Sequence, residues 1–113
     1  MARVFLSLGS NLGERHLNLR TAVQRLGATT GIRLLEVSRL YETEPWESAP
    51  GQIVNRTGWF LNCVVAIETS LTPAVLLARV QEIEGALGRA RSAGSQEAGR
   101  YEPRTLDIDI LLY

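Results

Sequence analysis

The chain has 113 residues, is 45 % apolar, and balances 12 acidic against 12 basic side chains. That size and apolar content predict one compact domain with a real core and exclude a disordered segment. The neutral balance excludes the basic footprint that nucleic acid requires.

All the basic residues are arginine, so a lysine nucleophile and a P-loop lysine are excluded. Cys63 is the only cysteine and His16 the only histidine. A disulfide framework, a thiolate metal cluster and a histidine-rich site are therefore not expected. The opening MARVFLSLGSN has too short an apolar run for a signal peptide, and no stretch of transmembrane length follows. The expectation is a soluble cytoplasmic domain that meets neither membrane nor nucleic acid.

In chain order, residues 2–8 alternate with Val4, Leu6 and Leu8 on one side, and read as a strand. Gly9-Ser10-Asn11 reads as a turn and helix N-cap. The helix that follows runs to about Gly27, with Leu19, Ala22, Val23 and Leu26 at helical spacing. Residues 32–43 carry strand-type side chains and predict one long second strand. Pro45 to Gly58 is a loop, and Trp59 to Thr69 a third, strongly apolar strand. Thr72 and Pro73 suit the N-cap and first position of a second helix. Leu76, Val80, Ile83 and Leu87 form its buried stripe, and Gly88 is expected to end it. Residues 92–103 are small and polar and predict a mobile loop, before a last strand over 106–113. The order βαββαβ predicts an α+β, ferredoxin-like domain over 1–113: an antiparallel sheet with both helices on one face.

Asp107 and Asp109 are the only aspartates. Two apart in a strand, they point to the same side, with backbones roughly 6–7 Å apart. Like charges so placed call for a cation or donors, and Mg²⁺ suits them, because it takes one or two carboxylates and completes its shell with water and phosphate. The competing reading is a solvated strand face. Arg89, Arg91, Arg100 and Arg104 flank the pair in sequence, and arginine makes bidentate contacts with phosphate. Singly, each reads as surface charge; with two carboxylates they suit metal-assisted phosphoryl chemistry. Asn62 interrupts an apolar strand on the same side as Phe60, offering a carboxamide beside a stacking ring to a heterocycle with an amide edge. A buried asparagine satisfied by backbone is the alternative. Thr43-Glu44-Pro45-Trp46 ends the second strand and can approach the same region. Glu84 reads as an exposed helix acid, Cys63 as a small core residue, and His16 as helix surface.

Four segments carry a resemblance to a known family. LSLGSNLGERHLNLRTAVQRL, VSRLYETEPW, FLNCVVAIETSLTPAVLLARVQEIEGALGRAR and, most specifically, PRTLDIDILLY resemble, in order, segments of the hydroxymethyl-dihydropterin pyrophosphokinases. The resemblance implies ATP and 6-hydroxymethyl-7,8-dihydropterin as substrates in folate biosynthesis, with two Mg²⁺ ions bridged by Asp107 and Asp109. It places Gln81, Glu84, Arg89, Arg91 and Arg104 on the ATP side, with Arg89 and Arg104 acting in catalysis beside the aspartates. Thr43, Pro45, Phe60 and Asn62 line the pterin pocket, and Tyr101 falls where the family often has a lid tryptophan. Three departures accompany it. Trp46-Glu47 replaces a small, glycine-containing segment; the stretch between Arg91 and Arg104 is longer than usual, with Glu102 where glycine is common; and family members usually continue beyond a position equivalent to Tyr113. The alternative expectation is an inactive, C-terminally short homologue serving as a binding module or without independent function. A homodimer that completes the sheet's exposed edge and open face is a further expectation.

Overall fold

The computed structural model describes residues 1–44, 59–92 and 106–113, with side chains in the second stretch described as far as Gly88. The elements are β1 (Ala2–Ser10), α1 (Arg15–Gly27), β2 (Ile32–Val37), β3 (Tyr41–Thr43), β4 (Phe60–Thr69), α2 (Pro73–Ser92) and β5 (Asp107–Leu112). The sheet runs β2-β4-β1-β5, with the short β3 also paired to β4, and each pairing is antiparallel. β1 and β2, joined through α1, are thus separated by an antiparallel β4, the split βαβ arrangement of the ferredoxin-like fold.

Strict alternation produces the two faces. Val4, Leu6 and Leu8 on β1, Leu61, Cys63, Val65 and Ile67 on β4, and Ile108 on β5 turn to one side. There they meet Leu19, Ala22 and Leu26 of α1 and Leu76, Val80 and Ile83 of α2, forming the core. Leu6, Leu8, Leu26, Leu76 and Val80 have no exposed surface. Both helices therefore cover one face of the sheet, as the element order predicts. The opposite face carries Phe5, Ser7, Phe60, Asn62, Val64 and Ala66, all half-buried.

Three boundaries differ from the sequence expectation. The long second strand is two, β2 and β3, because Ser38 puts its side chain into the ladder. Its N–H donates to the Val64 carbonyl at 2.8 Å, while its Oγ accepts from the Val64 N–H at 2.8 Å. That hydroxyl also donates to the Arg39 carbonyl, which turns the chain before pairing resumes at Tyr41. Secondly, β1 continues through Gly9 and Ser10, so Gly9 is a strand residue and not part of a turn. The connection to α1 is instead held by Asn18, whose Nδ2 donates to Ser10 Oγ at 3.0 Å and to the Leu12 carbonyl at 2.9 Å. Finally, Gly88 does not end α2, which reaches Ser92. Gly88 is not among the glycines with positive φ, so it lacks the left-handed geometry of a glycine cap. The start of α2 is as expected: Thr72 Oγ1 accepts from the Val75 N–H at 3.3 Å.

Candidate active site

On the open face of the sheet, three strands bring together residues that are far apart in sequence. Gly9 on β1 is register partner to Asn62 on β4 and to Asp107 on β5. Ser7 is partner to Val64 and Asp109. Cross-strand partners share a face, so a carboxamide and a carboxylate stand on either side of a glycine, their backbones two strand spacings or roughly 10 Å apart. Ser7, Gly9, Phe60, Asn62, Asp107 and Asp109, with Thr43 and Glu44 at one side, line a cleft of about 310 Å³.

Gly9 forms the floor because it has no side chain. A Cβ there would lie 2.8 Å from Asn62 Oδ1 and 3.3 Å from Phe60 Cδ1. The same geometry shows that the carboxamide oxygen leans over the floor. Its nitrogen is held from the other side: Asn62 Nδ2 donates to Thr43 Oγ1 at 2.8 Å. Contacts of Nδ2 with the Phe60 and Tyr41 carbonyls, at 3.4 and 3.5 Å, are much weaker. The Thr43 bond thus sets the amide plane and turns Oδ1, an acceptor, toward the cleft.

Asp107 is half-buried and Asp109 exposed on β5, an end strand of the sheet. The outward backbone N–H of Ile108, between the two aspartates, donates to Glu84 Oε2 at 2.7 Å. Glu84 is therefore not the exposed helix acid that its position suggests; it is half-buried and fastens β5 to α2. Gln81 is exposed on α2. Ser92, expected to open the long loop, is the last residue of α2; Pro45, Arg100, Tyr101 and Arg104, the side chains of Arg89 and Arg91, and residues 93–103 of that loop lie outside the described residues.

Of the predicted site residues, the fold brings Thr43, Phe60, Asn62, Asp107 and Asp109 into one cleft. Sequence reasoning missed Ser7 and Gly9. A glycine within an alternating strand pattern is itself a signal of close approach, and Gly9 carries that signal. Cys63 faces the core, 1 % exposed, and burial pushes its thiol above the ordinary value. His16 is exposed, on α1.

The two carboxylates suit a hard divalent cation by the chemistry of their oxygens. Among the described residues no three His, Cys, Asp or Glu side chains converge on one point, so there is no closed protein cage for such an ion. Mg²⁺ does not require one, because water and phosphate oxygens complete its shell.

Fold and cleft define the class: a ferredoxin-like α+β domain with a cleft on the face of the sheet opposite its two described helices. The family model described as 7,8-dihydro-6-hydroxymethylpterin-pyrophosphokinase (HPPK) matches residues 5–113. The 2-amino-4-hydroxy-6-hydroxymethyldihydropteridine pyrophosphokinase of Methylorubrum extorquens is 44 % identical over 113 residues, covering 100 % of this chain and 64 % of that protein. The enzyme of the same name from Porphyromonas gingivalis is 46 % identical over 114 residues, covering 100 % of this chain and 70 % of that protein. The one from Bacillus subtilis is 40 % identical over 111 residues, covering 96 % and 58 %. The chain belongs to the 7,8-dihydro-6-hydroxymethylpterin-pyrophosphokinase family. It spans about three-fifths to seven-tenths of the length of these relatives. No helix among the described residues is long and apolar enough to cross a membrane.

Proposed function

We propose that this chain contributes the site for transfer of pyrophosphate from ATP to the hydroxymethyl oxygen of 6-hydroxymethyl-7,8-dihydropterin. The observation that carries the reading is the row Asn62–Gly9–Asp107, which sets a group suited to an amide-edged heterocycle beside one suited to a metal–phosphate complex. Asn62 Oδ1 accepts from a ring N–H of the pterin, in a plane fixed by Thr43. Phe60 supplies a face for the ring to pack on, and Gly9 lets the ring settle toward the sheet.

Asp107 and Asp109 would hold Mg²⁺, two ions by family resemblance, and the metal would supply charge neutralisation to the transferring group. Glu84 keeps those carboxylates in register by fixing the backbone between them. Arg89, Arg91 and Arg104 bind phosphate oxygens, with Gln81 on the same ATP side. In the transfer, the hydroxymethyl oxygen forms a bond to the β-phosphorus and loses its proton. The bond from that phosphorus to the bridging oxygen of the α-phosphate breaks, and AMP leaves. Positioning and charge neutralisation account for most of such catalysis.

An inactive binding module is not favoured, since the family match runs through the carboxylate, carboxamide and second-helix segments alike. The test is calorimetric titration with a non-hydrolysable ATP analogue, with and without Mg²⁺, followed by the pterin. Mg²⁺-dependent nucleotide binding that strengthens pterin binding is the expected result, with AMP formation when ATP replaces the analogue. Failure of both ligands to bind would overturn the reading for this chain.

A further inference from the structure

Arg15 is oddly placed for a helix residue. It opens α1, where the unpaired N–H groups and the macrodipole disfavour a cation, and the first turn contains no acidic residue to offset it. Its N-cap, Glu14, makes no side-chain capping bond. Local helix chemistry therefore does not account for this arginine.

Its long-range contacts do. One guanidinium nitrogen, Nη2, lies 3.0 Å from Glu42 Oε2. The other, Nη1, donates to the backbone carbonyl of Trp59 at 2.9 Å. Both partners of the ion pair are largely shielded, with side chains 27 % and 23 % exposed. Glu42 lies in β3 and Trp59 immediately precedes β4, so one planar fork grips two neighbouring strands at once, a geometry that lysine cannot copy.

The grip acts on the cleft through the sheet. Glu42 is register partner to the buried Leu61 and so turns to the helix side. The next residue, Thr43, is partner to Phe60 and turns to the cleft side, where its hydroxyl fixes the Asn62 amide. β3 has only three residues and, among the described residues, pairs with β4 alone. Its backbone ladder is too short to hold Thr43 closely by itself. We infer that Arg15 is a positioning residue for the pocket of Thr43, Phe60 and Asn62, holding β3 against β4 from the far side of the sheet. The inference rests on the pterin reading of that pocket.

The test compares wild type with Arg15→Met, Arg15→Lys and Glu42→Gln. Pterin affinity is measured in the presence of Mg²⁺ and the ATP analogue, and analogue affinity is measured separately. Arg15→Met should weaken pterin binding about 10-fold or more, as expected for sub-ångström misplacement of a binding group, while nucleotide affinity changes less than about twofold. Arg15→Lys and Glu42→Gln, each retaining half of the grip, should fall between. Unchanged pterin binding in Arg15→Met, or a parallel loss of both ligands that follows the unfolded fraction, overturns the inference. Should Arg15→Met not fold, the two milder variants decide by the same ratio. NMR separates failure of this inference from failure of the functional reading. The Asn62 carboxamide signals should shift and the Glu42 and Thr43 amides should exchange faster in the Arg15 variants, even if wild type binds no pterin; unchanged signals overturn the inference whatever the ligand results.

Discussion

Replacing Gly9 with alanine asks one methyl group to occupy the floor of the cleft. The new Cβ would stand 2.8 Å from Asn62 Oδ1, which is 0.6 Å short of the 3.4 Å at which ordinary contact begins, and 3.3 Å from Phe60 Cδ1. Gly9 is not among the glycines with positive φ, so the backbone itself accepts alanine. That substitution alone would stabilise the fold by about 0.4–1 kcal/mol, through a less flexible unfolded chain. Against it stand overpacking, about 1–3 kcal/mol, and weakening of the Asn62–Thr43 bond, about 0.5–1.5 kcal/mol. The carboxamide is the end of a short side chain and yields by rotating, which keeps both costs at their lower ends. A net loss of about 1 kcal/mol follows, or roughly 4 °C in Tm for a domain of this size. Function should suffer far more than folding. An amide displaced by 0.6 Å or turned away no longer meets the heterocycle, and pterin affinity should fall by about 10- to 100-fold. Thermal melts and calorimetric titration in the presence of Mg²⁺ and the ATP analogue measure the two effects side by side. Wild-type pterin affinity in Gly9→Ala would refute the assignment of Gly9 as the cleft floor. Loss of folding would refute the claim that space, and not backbone geometry, demands glycine here.

Three further outcomes are expected. Asp107→Ala with Asp109→Ala should abolish Mg²⁺-dependent nucleotide binding by calorimetry; retained binding would exclude the pair as the metal site. Glu84→Ala, which strips the Ile108 N–H of its acceptor, should cost about 1–2 kcal/mol in urea denaturation and weaken nucleotide binding, whereas Glu84→Gln keeps an acceptor oxygen and should retain most of the stability. Burial lifts the Cys63 thiol above its ordinary value of 9.0, so the folded chain holds this proton more tightly than the unfolded chain. The stability that this provides is complete below the ordinary value and is lost as pH rises from there through the raised one. Cys63→Ala should therefore flatten the decline of stability above about pH 9 in urea denaturation, and identical slopes would count against that linkage.

Alternation and helical spacing are local patterns, and they disclosed the split βαβ order, the core faces of β1 and β4, and the Thr72–Pro73 helix start. The Asp107/Asp109 pair and the Phe60/Asn62 pair were legible for the same reason, because a two-residue spacing in a strand already places two side chains on one side. What was not legible depends on partners distant in sequence. Ser38 looks like any strand serine until Val64 lies beside it and takes its hydroxyl into the ladder. Gly9 carries the local signal of a close approach, but what approaches is known only when Asn62 and Asp107 flank it. Arg15 and Glu42 meet only when α1 and β3 both pack against β4, and Glu84 meets Ile108 only when β5 lies beside α2. In each case the missing information was tertiary, and local propensity had no access to it.

The site row joins residues 9, 62 and 107, and its carboxylate end belongs to a strand whose only sheet partner among the described residues is β1, 98 positions earlier in the chain from Asp107 to Gly9. Closing so long a loop is the slow, entropically costly part of reaching this topology. Before β5 docks, β4 and β1 can already display the carboxamide, but no carboxylate stands opposite it. On the proposed reading, a nucleotide–metal complex that engages Asp107 and Asp109 would recognise only chains in which β5 is paired with β1, and by mass action it would hold that pairing closed. Nucleotide supply would then act on this domain as a brace for β5, so that protection of the β5 amides from exchange rises with nucleotide concentration.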